Sequence, residues 1–205
     1  MASTVGTVGA TRAVGDKAVG MGSYHKIKIY FYGIDATSES KASENIVNRA
    51  VSYLDPPFCH CELQFMNGES LAVYANTRVS MRKRTFEDPQ YQVLTVPCTP
   101  WQYDAAYTNA CTFVGLPFGW MALINCKLML YAGSSSATFC SKLCCDVLNH
   151  AKILQDAPTS DFVSPSALYT HVESELLRRT TVRNAGTHGA HGVTPALDFQ
   201  RFSPA

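Results

Sequence analysis

The sequence predicts an α+β domain, an antiparallel sheet packed against helices, and three observations carry that prediction. Apolar residues alternate along Tyr24 to Ile34, the period of a half-buried strand. Asn67-Gly68, the strongest short hairpin signal, separates two further strand-like runs. From Thr99 onward the apolar period changes to that of helices, so helices group beside the sheet.

Each element follows from local chemistry. Tyr24 to Ile34 sets Ile27, Ile29 and Phe31 on one face of a strand. Ser38 to Leu54 has helical spacing in Ala42, Ile46, Ala50 and Leu54, and Pro56-Pro57 stops it. Phe58 to Met66 and Ser70 to Asn76 flank the turn as strands, with more near Arg78 to Arg84 and at Tyr91 to Pro97. Thr99 reads as an N-cap with Pro100 at the first helical position, in a helix to about Val114. A helical piece covers Trp120 to Leu130, and Gly133-Ser134-Ser135-Ser136 is a loop. Cys140 opens a short helix to about His150, and Ser164-Pro165-Ser166 starts a last helix ending near Arg178. Residues 1–23 and 180–205 are rich in small residues and lack an apolar period, so a flexible arm and tail flank a folded domain of 24–179.

Composition narrows the function classes. Of 205 residues, 46% are hydrophobic and the formal net charge is +1, so nothing global points to nucleic acid or an anionic membrane. The basic run Arg82-Lys83-Arg84, with Arg78 nearby, reads as a solvated strand end because it lacks interleaved aromatics. Gly115 to Ala132 comes nearest to the roughly 20 apolar residues of a membrane span, but Pro117, Asn125 and Lys127 interrupt it. The eight cysteines (59, 61, 98, 111, 126, 140, 144 and 145) lie mostly in apolar segments, and no secretion signal precedes them. Reduced thiols in a cytoplasmic protein are therefore expected.

The chemistry concentrates in two segments. A thiol at a helix N-terminus, as at Cys140, meets unpaired N–H groups and the positive end of the helix dipole, which favour the thiolate. An imidazole on a neighbouring strand, as at His60, can take the thiol proton and return it. Glu62 shares a strand face with His60 and is the preferred group to orient it; Ser70 and Tyr74 on the partner strand are the alternatives. Structural zinc is a competing use of Cys59, His60, Cys61, Cys140, Cys144 and Cys145. Strand alternation opposes it, because Cys59 and Cys61 face away from His60. No metal or cofactor is expected. Cys144, one turn after Cys140, reads as core, with a minor alternative role in trapping an oxidised Cys140.

Three blocks together resemble the permuted papain-fold proteins of the NlpC superfamily, particularly YiiX-like and viral members. His60-Cys61-Glu62-Leu63 with Asn67-Gly68 is similar to the family's His-x-Glu-Leu strand and turn. Phe139-Cys140-Ser141-Lys142-Leu143 is similar to its Phe-Cys-Ser-Glu-Leu helix start, with Lys142 in place of the usual Glu. Ser164 to Tyr169 resembles the segment that closes the domain. The resemblance spans about Tyr24 to Val172. It implies a circularly permuted papain-like domain, with Cys140 as nucleophile and His60 as general base and acid, acting on amide, thioester or ester bonds. The backbone N–H of Cys140 would serve as oxyanion donor.

The leading expectation is thus a cysteine hydrolase of peptidase or amidase type, acting on a peptide, amide or acyl substrate through an acyl-enzyme. An acyltransferase, lipid thioesterase or phospholipase of the same fold is the nearest rival. Phe118, Trp120, Met121 and Leu123 would supply its apolar groove. A third class is a non-catalytic virion or scaffold protein, partnered through the arms; a viral source would put it in the host cytoplasm or the virion. The segment from Ala132 to Thr138 is a candidate cover for Cys140.

Overall fold

Five antiparallel strands form one sheet in the order β4-β3-β2-β1-β5 in the computed structural model. They are β1 His25–Gly33, β2 Phe58–Gln64, β3 Glu69–Ala72, β4 Ser80–Lys83 and β5 Tyr91–Cys98. Among the described residues three α-helices, α1 Pro100–Phe113, α2 Cys140–His150 and α3 Pro165–Gly186, join the sheet in an α+β arrangement. The structure describes residues 24–33, 55–87, 90–120, 123, 137–155 and 158–186. The expected helix at 38–54, nearly all of that at 120–130, the loop at 133–136 and both arms apart from residues 180–186 fall outside these residues.

Strand alternation divides the sheet into two chemically different faces. Ile27, Ile29 and Phe31 of β1, Leu63 of β2, Leu71 of β3, and Leu94 and Val96 of β5 are buried together. Their register agrees, since Ile29 pairs with both Leu63 and Leu94, and Leu63 with Leu71. The other face carries Tyr32 opposite His60, Tyr30 opposite Glu62, and Gln64 opposite Ser70, which is opposite Arg82. Apolar and polar sets therefore separate by parity alone.

The hairpin forms where Asn67-Gly68 predicts it, as a three-residue loop. Gly68 N–H donates to the Phe65 carbonyl at 3.0 Å, Phe65 N–H donates to the Glu69 carbonyl at 2.9 Å, and Gly68 has φ of 83°. That positive φ is what glycine supplies without steric cost. β3 ends at Ala72 rather than Asn76, because the chain turns at Tyr74–Thr77, where Asn76 has φ of 61°.

Helix ends are fixed by side chains. Thr99 caps α1 in a reciprocal box: Gln102 N–H donates to Thr99 Oγ1 at 3.2 Å, and Thr99 N–H donates to Gln102 Oε1 at 3.1 Å. Ser164 starts α3, its Oγ accepting from Ala167 N–H at 3.1 Å. Ser166 Oγ binds across to β2, accepting from Phe58 N–H at 3.1 Å, and so ties the last helix to the strand that carries His60. α3 continues past the expected end near Arg178 to Gly186, so the first seven residues of the expected tail are helical. Thr180 and Thr181 donate to the carbonyls of Leu176 and Leu177, so these hydroxyls find partners within the helix although the segment lacks an apolar period. Arg179 Nη1 also donates to the Pro97 carbonyl at 2.9 Å, anchoring the helix to β5.

α2 buries Leu143, Cys144, Cys145, Val147 and Leu148 against the sheet and α1. The described cysteines are all free thiols, and no described helix is long and apolar enough to cross a membrane. Leu143 has no exposed surface, so Leu143→Ala is expected to cost about 2–5 kcal/mol. Thr99→Ala, which removes one cap, should cost about 1 kcal/mol. Urea denaturation followed by circular dichroism checks both.

Candidate active site

Cys140 is the first residue of α2, and its environment follows from that position. The first bond of the helix runs from Leu143 N–H to the Phe139 carbonyl at 2.9 Å, so the N–H groups of Cys140, Ser141 and Lys142 stand outside the ladder. Phe139, the N-cap, makes no side-chain capping bond. The end is clamped instead by its neighbours. Ser141 Oγ donates to the Val163 carbonyl at 2.7 Å, and Lys142 Nζ bridges Asp146 at 3.2 Å and Asp161 at 2.8 Å. Lys142 thus has a structural task away from the thiol.

β2 presents His60 and Glu62 side by side, with His60 Nε2 3.2 Å from Glu62 Oε1. Nδ1 is then the ring nitrogen left to face Cys140, which lines the same cleft. His60 also stacks on Tyr74, with ring centroids 4.7 Å apart and planes 24° from parallel. Burial alone would lower its pKa, but the hydrogen bonds to Cys140 and Glu62 overcome that and raise it to about 10. Cys140 moves the other way. A hydrogen bond from the Cys61 thiol, joined by the imidazole, outweighs burial and holds Cys140 well below the ordinary thiol value. A thiolate–imidazolium pair follows.

Glu62 has no exposed surface, and its oxygens are crowded with donors. Ser70 Oγ donates to Oε2 at 3.1 Å, Arg84 Nη1 to Oε1 at 2.6 Å, and Tyr74 O–H to Oε1 as well. Burial would raise its pKa; His60 and Arg84 reverse that and lower it. Ser70 and Tyr74, the alternatives for orienting His60 in the sequence, bond to Glu62 instead. The solvated reading of Arg84 is overturned by its ion pair with Glu62, whereas Arg82 and Lys83 are exposed. Register gave a usable signal: Arg82 stands opposite Ser70 and Ser70 opposite Gln64, so Arg84 shares the face of Glu62.

A bulge separates Tyr32 and Gly33 on β1 from regular pairing with His60 and Phe58, and Cys59 occupies the irregular position. β2 and β3 pair only at Leu63–Leu71 and Gln64–Ser70. Beyond that point a cleft opens, lined by Cys59, His60, Val73, Tyr74, Phe118 and Cys140, with a volume of about 30 Å³. Leu123 and Phe139 add to its apolar wall, and Trp120 is partly exposed nearby. Met121 lies outside the described residues, as does the candidate cover apart from Ala137 and Thr138; Thr138 pairs with Phe118.

Alternation holds for Cys61, which packs into the core with its Sγ 3.8 Å from Cys144 Sγ. Cys61 nonetheless helps hold the Cys140 thiol below its ordinary value, and parity along one strand, without the position of α2, hides that influence. Cys144 itself is fully buried core. Among the described residues no group of three or more histidine, cysteine or acidic side chains is arranged to hold a metal ion.

Comparison of the chain with protein-family models, curated proteins and solved structures gives no match.

Arg84→Met leaves the buried Glu62 carboxylate with His60 as its remaining cation, and is expected to cost about 1.5–3 kcal/mol in urea denaturation. Arg82→Met, two residues earlier in the same run and exposed, should stay within about 0.5 kcal/mol. The thiolate–imidazolium pair sets a pH signature with a fixed sign. The folded His60 is raised, so its contribution is complete below 6.5 and is lost as pH rises to about 10. The folded Cys140 is lowered, so its contribution is complete above 9.0 and is lost as pH falls through the folded value. The stability difference between wild type and Cys140→Ser should therefore rise with pH below 6.5, run level to 9.0 and fall by 10. Denaturation midpoints across pH measure it.

Proposed function

We propose that the chain is a thiol hydrolase of peptidase or amidase type, in a circularly permuted papain-like domain. The observation that carries this reading is His60, held by Glu62 at 3.2 Å, beside Cys140 in one cleft, with the sulfur at a helix N-terminus. Each member then has a role set by its surroundings.

The Cys140 thiolate attacks the carbonyl carbon of an amide or ester. Negative charge moves to the carbonyl oxygen, where the N–H of Cys140 at the unladdered end of α2 is the donor at hand. Imidazolium His60 gives its proton to the leaving nitrogen or oxygen as the tetrahedral adduct collapses to an acyl-enzyme. Neutral His60 next takes a proton from water, whose oxygen attacks the thioester, and the released Cys140 thiolate re-forms its pair. Glu62 stays ionised throughout, fixing the ring so that Nδ1 faces the sulfur. A cleft of about 30 Å³ holds the reacting group but little else, so the remainder of a substrate lies along the surface outside it.

An acyltransferase or lipid-ester activity is the second reading, favoured by the apolar wall of Phe118, Leu123 and Val73. It shares the acyl-enzyme and differs in the acceptor.

With a chromogenic ester as probe, a burst of product and an acyl adduct on Cys140 by mass spectrometry are expected near neutral pH. Cys140→Ala should abolish the adduct, and His60→Ala should slow acylation by about 10²–10⁴-fold. Resolution by water supports the hydrolase, and faster resolution by an added amine or alcohol supports the transferase. A folded protein whose Cys140 reacts with iodoacetamide no faster than an ordinary thiol, unchanged in His60→Ala, would sink both.

A further inference from the structure

Tyr74 meets the site twice, through different parts of one side chain. Its ring lies against the His60 imidazole, with centroids 4.7 Å apart and planes 24° from parallel, and its hydroxyl donates to Glu62 Oε1. Arg84 Nη1 donates to the same hydroxyl oxygen, so the phenolic proton is left to the carboxylate. We propose that Tyr74 is a positioning residue of this site, aiming the His60 proton at the leaving group beside Cys140. Its ring fixes the plane of the imidazole, and its hydroxyl fixes the carboxylate behind it. The inference rests on the reading of Cys140 as nucleophile and His60 as acid.

Neither His60 nor Glu62 can set its own orientation. The terminal torsions of histidine and glutamate side chains are broad and roughly two-fold. The contact of His60 Nε2 with Glu62 at 3.2 Å holds one ring atom and leaves rotation about it. A second ring stacked on the imidazole removes that freedom. The carboxylate has Ser70 on one oxygen, at 3.1 Å, and Tyr74 on the other, which sets its plane in turn.

The backbone around Tyr74 holds it in place. Tyr74 stands two residues past the end of β3, where Tyr74 N–H donates to Thr77 Oγ1 and Thr77 N–H to the Tyr74 carbonyl, both at 3.0 Å. Residues 117–120 clip this turn to the start of α2. Phe118 N–H donates to the Thr77 carbonyl at 3.0 Å, and Trp120 Nε1–H to Asn76 Oδ1 at 3.1 Å. On the other side Gly119 N–H donates to the Thr138 carbonyl at 2.7 Å, and Thr138 lies two residues before Cys140. The ring that orients the acid is therefore carried by a turn bonded to the segment that carries the nucleophile.

Aiming a proton matters only where the leaving group needs one. As the tetrahedral adduct collapses, the bond from carbon to the leaving oxygen breaks, and the His60 proton ends on that oxygen. An alkoxide needs this proton, whereas nitrophenolate departs as the anion. The test therefore compares an ethyl ester and a nitrophenyl ester of the same acyl group on the full chain. Cys140 adducts are read by mass spectrometry, and folding by circular dichroism. Tyr74→Leu should slow acylation from the ethyl ester by about 10²-fold, and from the nitrophenyl ester by less than about threefold. Tyr74→Phe, which keeps the ring and loses the hydroxyl, should recover most of that rate, staying about 5–10-fold below wild type with KM unchanged. If Tyr74→Leu does not fold, the same comparison in Tyr74→Phe decides.

Equal losses with both esters are what a merely structural role gives, and they overturn the proposal, as does an unchanged rate with the ethyl ester. If wild type is acylated by the nitrophenyl ester alone, there is no proton delivery to aim and this inference alone fails. If neither ester acylates Cys140 in the folded wild type, the nucleophile reading fails with it.

Discussion

A charged carboxylate without solvent access is the constraint on which this site depends. Glu62 sits on a strand in the middle of the sheet with no exposed surface. An isolated ion there would carry a large desolvation cost, and the surrounding residues reflect it. Ser70 on β3, Tyr74 beyond it and Arg84 beyond β4 all converge on its two oxygens. His60 completes the shell. Three strands are therefore held in register by polar contacts on one face as well as by Leu63 and Leu71 on the other. The imidazole inherits a fixed orientation from that arrangement, and its positive charge is balanced on one side by Glu62 and on the other by the thiol.

The helix end is the second half of the argument. α2 packs its apolar face on β2, and that packing sets where its first turn falls. Because β3 separates from β2 after Leu71, there is room at the strand edge for a sulfur. The cleft is then a consequence of a short strand pairing rather than of a dedicated pocket. The pair formed across it draws on helix-end amides, on a strand amide and thiol of Cys61, and on the His60 ring.

Much of this is legible in the residues alone. Alternation at Ile27, Ile29 and Phe31, the Asn67-Gly68 turn and the Thr99-Pro100 helix start each correspond to an element of the fold. Local rules suffice there because each acts within a few residues. Glu62 beside His60 was likewise readable from strand period. What escaped was set by pairing between segments. Arg84 looked solvated because charge runs usually are, and only the β3–β4 register brings it to Glu62. Cys61 was set apart by the face it occupies, and the placement of α2 brings Cys140 under its influence all the same. The extension of α3 to Gly186 depended on threonine hydroxyls bonding back along the helix and on Arg179 reaching Pro97.

α2 carries Cys140 and Cys145 within its first six residues, and their ionisation differs by place alone. Burial pushes the Cys145 thiol up to about 12, while the thiol that opens the same helix is held well below its ordinary value. An electrophile small enough to diffuse to both sulfurs would still find only one of them a ready nucleophile. Discrimination among identical side chains is thus written into the helix as an address, counted from its first residue. Sliding α2 by one turn would bring another cysteine to the strand edge, about 5.4 Å along the axis, without the free amides that make a sulfur reactive.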